Sequence, residues 1–126
     1  MINVDKQIAH WRNGAEEDWV VAEELIERGR VRHGLFFAHL ALEKMLKAHY
    51  CRATGELAPL IHNLVRLAEK AGLKFDESQL DLLAEVNEFN IEGRYPEMLL
   101  PTPSEIEVES YKLRISEVLK CLRNLF

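Results

Sequence analysis

The chain has 126 residues, of which 48% are apolar and 29% are charged, and its formal net charge is −5. This composition excludes a disordered chain, and the length fits one domain that spans residues 1–126. Leu, Ala and Glu far outnumber Val, Ile and Thr, which favours helices over a large sheet. Two cysteines are too few for a disulfide scaffold. Without a long apolar run or a signal-peptide pattern, we expect no membrane span and a cytoplasmic location.

Five segments have apolar residues every three or four positions, a spacing that is typical of helices. The predicted helices cover about residues 5–28, 33–53, 60–71 and 76–92, and a last helix follows Ser104 to the end of the chain. Short links between them make neighbouring helices antiparallel. The predicted fold is therefore all-α, an antiparallel up-and-down bundle of four long helices and one short helix.

The second predicted helix is apolar over more than half of its circumference. Such a helix is either central in its own bundle or buries one face against another subunit. We read its apolar surface as too large for one bundle face, and this predicts a homodimer. Gly29 and Gly34 flank the start of this helix and are both interpreted as helix ends.

The last helix has the clearest start signal in the sequence. Three prolines, Pro96, Pro101 and Pro103, exclude a helix in the segment before it. Ser104 and Glu107 then form the pattern of a capping box, in which each side chain bonds the backbone of the other.

Charge is distributed unevenly along the chain. Residues 27–52 contain six Lys or Arg and two Glu, whereas residues 76–109 contain ten acids and a single base, Arg94. The first stretch could attract nucleic acid and the second would repel it. Two solvated helix faces would give the same pattern, so both interpretations stay open.

A line of polar residues interrupts the apolar second helix. His39, Glu43 and Lys47 are spaced by four and share one helix face, which we call the polar line. A His, a carboxylate and an ammonium in a row can bind phosphate or move a proton. An exposed, salt-bridged stripe is the alternative, because Glu four residues before Lys is a favourable order.

The end of the fourth helix offers a second candidate. Arg94 follows Gly93 and precedes the stiff pair Tyr95-Pro96. A guanidinium at a helix end can clamp a phosphate or carboxylate, or it can bond the last carbonyls of its own helix. If the second and fourth helices are neighbours, Glu43 can hold either Arg94 or Lys47.

Other chemistry is not indicated by the residue spacing. His62, at the start of the third helix, is expected to be neutral and structural, since a helix start disfavours positive charge. Cys51 has no accompanying His and Asp, and neither His-Glu-x-x-His nor a Gly-rich phosphate loop occurs. We therefore expect no metal and no cofactor.

Three segments resemble the HEPN family of nucleotide-binding domains. Residues 36–48 (FFAHLALEKMLKA) resemble its second-helix signature, residues 62–67 (HNLVRL) its His-x-Leu element, and residues 92–96 (EGRYP) its Arg-Tyr-Pro element. Their order and spacing extend the resemblance from Trp19 to the end of the chain. The resemblance implies a helical bundle that often dimerises and is often encoded beside a minimal nucleotidyltransferase, in toxin–antitoxin modules.

The residues that the resemblance carries over are His39, Glu43, Lys47, Arg94 and Tyr95, as ligand-binding residues. Many HEPN proteins are metal-independent ribonucleases with an Arg-x4–6-His motif, but no His follows Arg94 at that spacing. We therefore expect a protein that binds a nucleotide or a nucleotidyltransferase partner. A metal-independent ribonuclease acting on RNA is the alternative, and a bundle with only an interaction role is a third possibility.

Overall fold

Five helices account for most of the chain. The computed structural model describes residues 2–94 and 101–126, except for the side chains of residues 92–94. The helices are α1 (Val4–Glu27), α2 (Val31–Thr54), α3 (Leu64–Lys70), α4 (Glu77–Arg94) and α5 (Glu105–Asn124). No strand occurs in these residues, and four helices are long and one is short. The predicted all-α bundle is confirmed.

The α2 helix is the centre of the bundle. It packs most extensively against α1 and also contacts α3, α4 and α5. Its buried residues extend from Gly34 to Cys51, but Phe36, Phe37 and Leu40 lie along one side of the helix and are only partly buried. Most of its apolar surface is thus covered within one chain, and this side is the part that the chain leaves partly uncovered. Homodimerisation stays a prediction.

The α1–α2 turn brings these two helices unusually close. Gly29, which has a φ of +80°, ends α1 as predicted. Gly34 does not end a helix, and that interpretation was wrong. It lies inside α2, where a Cβ atom would be 2.6 Å from Ile26 Cγ1 and 3.0 Å from the Ala22 carbonyl oxygen. Only glycine allows this approach of α1 to α2 without a shift.

The short helix α3 starts four residues later than predicted, at Leu64. Asn63 is extended, and its side-chain oxygen accepts the Arg66 N–H at 3.2 Å. Asn87 of α4 accepts the next free donor, the Leu64 N–H, at 2.9 Å. These two amides satisfy the helix start and leave His62 in the connecting loop.

The α5 helix has the predicted capping box. Ser104 Oγ accepts the Glu107 N–H at 3.2 Å, and Glu107 Oε1 accepts the Ser104 N–H at 3.0 Å. Of the proline segment before it, Pro96 lies outside the described residues, whereas residues 101–103 are not helical, as expected.

Within the described part of the chain, none of the helices has both the length and the hydropathy that a bilayer span requires.

Candidate functional site

The polar line on α2 is buried rather than exposed. His39 is 0% exposed, Glu43 is 5% exposed and Lys47 is 4% exposed. The central position of α2 explains this, because the helix packs against α1, α3, α4 and α5. The alternative of a solvated, salt-bridged stripe is therefore excluded. Buried charges must instead be paired with one another.

Glu43 is the centre of that pairing. Lys47 Nζ donates to Glu43 Oε2 at 3.1 Å, so the predicted partnership with Lys47 is present. His62 Nδ1 donates to the other oxygen, Oε1, at 3.0 Å. Each carboxylate oxygen thus has a donor from a different part of the chain. We call His39, Glu43, Lys47 and His62 the Glu43 cluster.

His39 positions the loop that carries His62. Its Nε2–H donates to the His62 carbonyl oxygen at 3.0 Å, which leaves Nδ1 as the nitrogen with the lone pair. Nδ1 lies 3.8 Å from Glu43 Oε1, beyond hydrogen-bond distance. Burial lowers the pKa of His39 to about 4, although Glu43 acts in the opposite direction. His39 is therefore neutral at pH 7, and its contact is with backbone.

Lys47 is enclosed on the side of α1. Its Nζ lies 5.2 Å from the centroid of the Trp11 ring, a cation–π arrangement. With Glu43 on one side and Trp11 on the other, the ammonium has little contact with solvent. The positive charge of Lys47 thus neutralises Glu43 within the bundle.

His62 is the one member of the Glu43 cluster that reaches the surface, since half of its side chain is exposed. The sequence predicts a neutral, structural role for His62, because its pattern places this residue in the first turn of a helix. Its position before the Asn63 cap instead lets the loop fold back onto α2. The signal that could have found it is the His-Asn pair at a helix start, in the segment that resembles the HEPN His-x-Leu element.

Arg94 and Tyr95 lie where the described residues of α4 end. Arg94 is the last residue of α4, and its side chain lies outside the described residues, as does all of Tyr95. The helices α2 and α4 are in contact, which is the condition under which Glu43 could hold Arg94. Asn87 supplies α4's link to the site, because its Nδ2 donates to Asn63 Oδ1 at 3.2 Å. The roles of Arg94 and Tyr95 stay predictions.

Several basic residues of the stretch 27–52 bond other parts of the molecule. Lys44 pairs with Asp18 at 2.7 Å, and Arg52 donates to the Leu125 carbonyl oxygen. His49, which is buried, donates its Nε2–H to the Leu122 carbonyl oxygen at 2.8 Å. Lys47 and His49 are buried and not available to nucleic acid, whereas Lys44 and Arg52 reach the surface but already bond other residues.

The remaining basic residues of the stretch are Arg28 and Arg30 on the α1–α2 turn, and Arg32 and His33 in the first turn of α2. Arg28, Arg30 and His33 are exposed and form no ion pair in the described part of the chain. A basic surface, if the stretch forms one, is therefore centred on this turn and the start of α2.

Comparison with known proteins identifies one family. Residues 8–125 match the HEPN domain family. No curated protein and no solved structure matches the chain significantly.

Among the described residues, no group of three or more His, Cys, Asp or Glu is arranged to hold a metal ion.

Proposed function

The chain belongs to the HEPN domain family, and on that premise we propose that it binds the phosphate of a nucleotide at His62. The observation that carries the proposal is the 3.0 Å hydrogen bond from His62 Nδ1 to the buried Glu43. A carboxylate that accepts one ring N–H fixes the ring orientation and stabilises the charged imidazolium. The second nitrogen, Nε2, then serves as the donor to a phosphate oxygen.

The electrostatics of the cluster support an anionic ligand. Lys47 and Glu43 form an ion pair at 3.1 Å, so their charges cancel. His39 is neutral because burial lowers its pKa to about 4. The imidazolium form of His62, which has an N–H on each ring nitrogen, would therefore give the Glu43 cluster a net charge of +1 at its exposed end. Arg94 and Tyr95, which follow in the same family signature, are proposed to complete the site.

Calorimetric titration with ATP tests this proposal. His62→Gln should weaken binding at least about tenfold, because a charged hydrogen bond to phosphate is lost. His33→Gln is the matched control, since His33 is exposed on the α1–α2 turn, and it should change the affinity less than about twofold. Equal affinities of the wild type and His62→Gln would contradict the proposal.

We further propose that the protein works in the cytoplasm with a minimal nucleotidyltransferase, in a toxin–antitoxin-like pair, and as a homodimer. Family membership supports this proposal. The adjacent gene is the place to look for the partner, and co-purification of the two tagged proteins tests the pair. Light scattering at micromolar concentration tests the homodimer, for which a monomer mass throughout would be the contrary result.

A metal-independent ribonuclease is the second candidate, and the Glu43–His62 pair is the observation that favours it. When neutral, His62 Nε2 is a proton acceptor held in place by a carboxylate, the arrangement of a general base. It would take the proton of a ribose 2′-hydroxyl while the 2′-oxygen attacks phosphorus. The 5′-oxygen would then leave with a proton from solvent, and a 2′,3′-cyclic phosphate would form.

RNA cleavage in the presence of a chelator separates the two candidates. A ribonuclease of this kind should lose its activity in His62→Ala and in Arg94→Ala, since Arg94 would stabilise the developing charge. His33→Ala should retain activity. Saturable ATP binding without RNA turnover would support the binding protein and exclude the ribonuclease.

A further inference from the structure

The residues that follow α5 are held against α1 and α2 by an aromatic stack. The rings of Phe126 and His49, on α2, are 3.9 Å apart between centroids, with an angle of 24° between their planes. The guanidinium carbon of Arg12, on α1, lies 4.1 Å from the Phe126 centroid, and that of Arg52, on α2, lies 5.8 Å from it. Two cations from different helices therefore meet at one ring. We call these four residues the Phe126 cluster.

The two guanidiniums of the Phe126 cluster have no carboxylate partner within the described residues. Arg12 forms neither an ion pair nor a side-chain hydrogen bond there, and Arg52 donates only to the Leu125 carbonyl oxygen, which is uncharged. Glu16 lies one turn after Arg12 on α1, but it is already paired with Arg123, at 2.6 Å. The two positive charges of the cluster are therefore not neutralised by a neighbouring side chain.

His49 adds no charge to the cluster. It is 5% exposed, and its Nε2–H donates to the Leu122 carbonyl oxygen at 2.8 Å. Burial lowers the pKa of His49 from its ordinary value of 6.5, and the positive charges of Arg52 and Arg12 lower it further, so the ring is neutral at pH 7. Both guanidiniums thus act on the same imidazole, which agrees with their short distances to Phe126.

Stacking on Phe126 prepares Arg12 for an anion. A guanidinium that lies over a ring is held by its face, so the contact consumes none of its five N–H donors. Because the ring also limits the motion of the side chain, less rotamer entropy is lost when an anion binds. Arg52 is exposed, and Arg12 and Phe126 are only partly buried, so the cluster is open to a ligand from solvent.

The separation of the two guanidiniums suits a single phosphate group. Their distances to the Phe126 centroid limit the separation of their central carbons to about 10 Å. A phosphate that accepts a hydrogen bond of about 2.9 Å on each of two oxygens can span that distance. A phosphate monoester carries nearly two negative charges at pH 7, which would neutralise both cations. The net charge of −5 on the chain disfavours a polyanion such as nucleic acid.

We propose that the Phe126 cluster binds the phosphate of a small phosphorylated molecule, to which Arg12 and Arg52 both donate while Phe126 orients Arg12. The alternative is a structural role, in which the cluster only fastens the residues after α5 to α1 and α2, and it predicts no phosphate binding. The Phe126 cluster shares no residue with the Glu43 cluster, so this proposal and the one for His62 can fail separately.

Titration with inorganic phosphate at low ionic strength tests the proposal, with the NMR signals of the arginine Nε–H groups as the readout. The signals of Arg12 and Arg52 should shift together and saturate with one affinity. Arg28 and Arg30, which are exposed on the α1–α2 turn, are the internal controls and should not shift. Equal shifts of all four signals would show attraction to charge alone and overturn the proposal, as would the absence of any shift.

Variants give the second test, with the affinity for phosphate read from the Arg12 signal. Arg52→Gln should weaken binding at least about tenfold, because a charged donor is lost, whereas Arg28→Gln removes the same charge elsewhere and should have less than a twofold effect. Phe126→Leu keeps both cations and should weaken binding about threefold, since Arg12 loses the ring that orients it. His62→Gln should leave the affinity unchanged.

Two outcomes of these variants would overturn the proposal. The first is an equal affinity of the wild type and Arg52→Gln, which would leave the cluster with its structural role alone. The second concerns the source of the phosphate, for which AMP and a 5′-phosphorylated tetranucleotide are compared. AMP should bind at least as tightly as the tetranucleotide, and tighter binding of the tetranucleotide would assign the cluster to nucleic acid instead of a small molecule.

Discussion

The helices α2 and α5 carry the same kinds of ion pair in opposite surroundings. On α2, Glu43 and Lys47 pair at 3.1 Å, and both side chains are buried. On α5, Arg114 pairs with Glu85 of α4 at 2.9 Å, and both side chains are partly exposed. An exposed pair contributes about 0–1 kcal/mol, whereas breaking a buried pair leaves an uncompensated charge. The burial of the two charged side chains therefore decides how much breaking the ion pair costs.

The largest expected effect comes from breaking the buried pair. Glu43→Gln keeps the shape of the side chain but leaves Lys47 buried without its counter-charge, and it weakens the link to His62. We expect a loss of about 3–5 kcal/mol in the free energy of unfolding, measured by urea denaturation. The matched change on the surface, Glu85→Gln, should cost less than about 1 kcal/mol. Similar losses for both variants would show that the Glu43 cluster is solvated.

The pH dependence of stability sharpens the same contrast. In the folded protein, burial lowers the pKa of His39 from 6.5 to about 4. The unfolded chain therefore binds a proton that the folded protein excludes, so stability is present above pH 6.5 and is lost as the pH falls towards 4. From pH 7 to pH 5 the loss from this group is about 2 kcal/mol.

Urea denaturation of the wild type and His39→Gln at pH 7 and pH 5 measures the contribution of His39 to this loss of stability. The pH-dependent loss in His39→Gln should be about 2 kcal/mol smaller than in the wild type. His49 must be retained in both proteins, because burial also lowers its pKa and adds a loss of the same sign. An unchanged pH dependence in His39→Gln would mean that His39 can be protonated in the folded state.

The fold was predictable because local patterns and global packing agree. The apolar spacing gave the five helices, and the Ser104–Glu107 pattern gave the start of α5. For α2, the excess of apolar residues allowed a central helix or a subunit contact, and only the arrangement of its neighbours decides between them. Burial of the polar line follows from that same arrangement, which the spacing of His39, Glu43 and Lys47 does not reveal.

The candidate site was less predictable, because it depends on a loop. His62 reaches Glu43 only because Asn63 and Asn87 satisfy the start of α3 and leave the preceding residues free to fold back. No periodic pattern describes such a contact between residues 19 positions apart. The prediction that Gly34 ends a helix is wrong for a related reason. A glycine that ends a helix and a glycine that lets two helices approach each other look alike in the sequence.

Gly34 offers an intermediate test, at the contact between α1 and α2. Gly34→Ala would place a Cβ atom 2.6 Å from Ile26 Cγ1 and 3.0 Å from a backbone oxygen. We expect a loss of roughly 1.5 kcal/mol, because the two helices must separate. Gly14→Ala on α1 is the control, since its Cβ atom would meet only the flexible side chain of Lys44, at 3.1 Å. It should be neutral or stabilise by about 0.5 kcal/mol through helix propensity, and an equal loss in both variants would contradict the close approach.

The smallest expected effect is on the exposed cap of α5. Ser104→Ala removes the acceptor for the Glu107 N–H and should cost about 1 kcal/mol in urea denaturation, whereas Ser104→Gly should cost a few tenths. The reciprocal bond adds a pH signature, because the Ser104 backbone N–H lowers the pKa of the Glu107 carboxyl. That contribution is present above the pKa of an unfolded Glu and is lost as the pH falls through the lowered value. Glu107→Gln can still bond the Ser104 N–H, so it should keep most of the stability at pH 7 and lose this acid dependence. If Glu107→Gln instead retained the acid dependence, the carboxylate would not be the capping group, and the stability of α5 would rest on its packing alone.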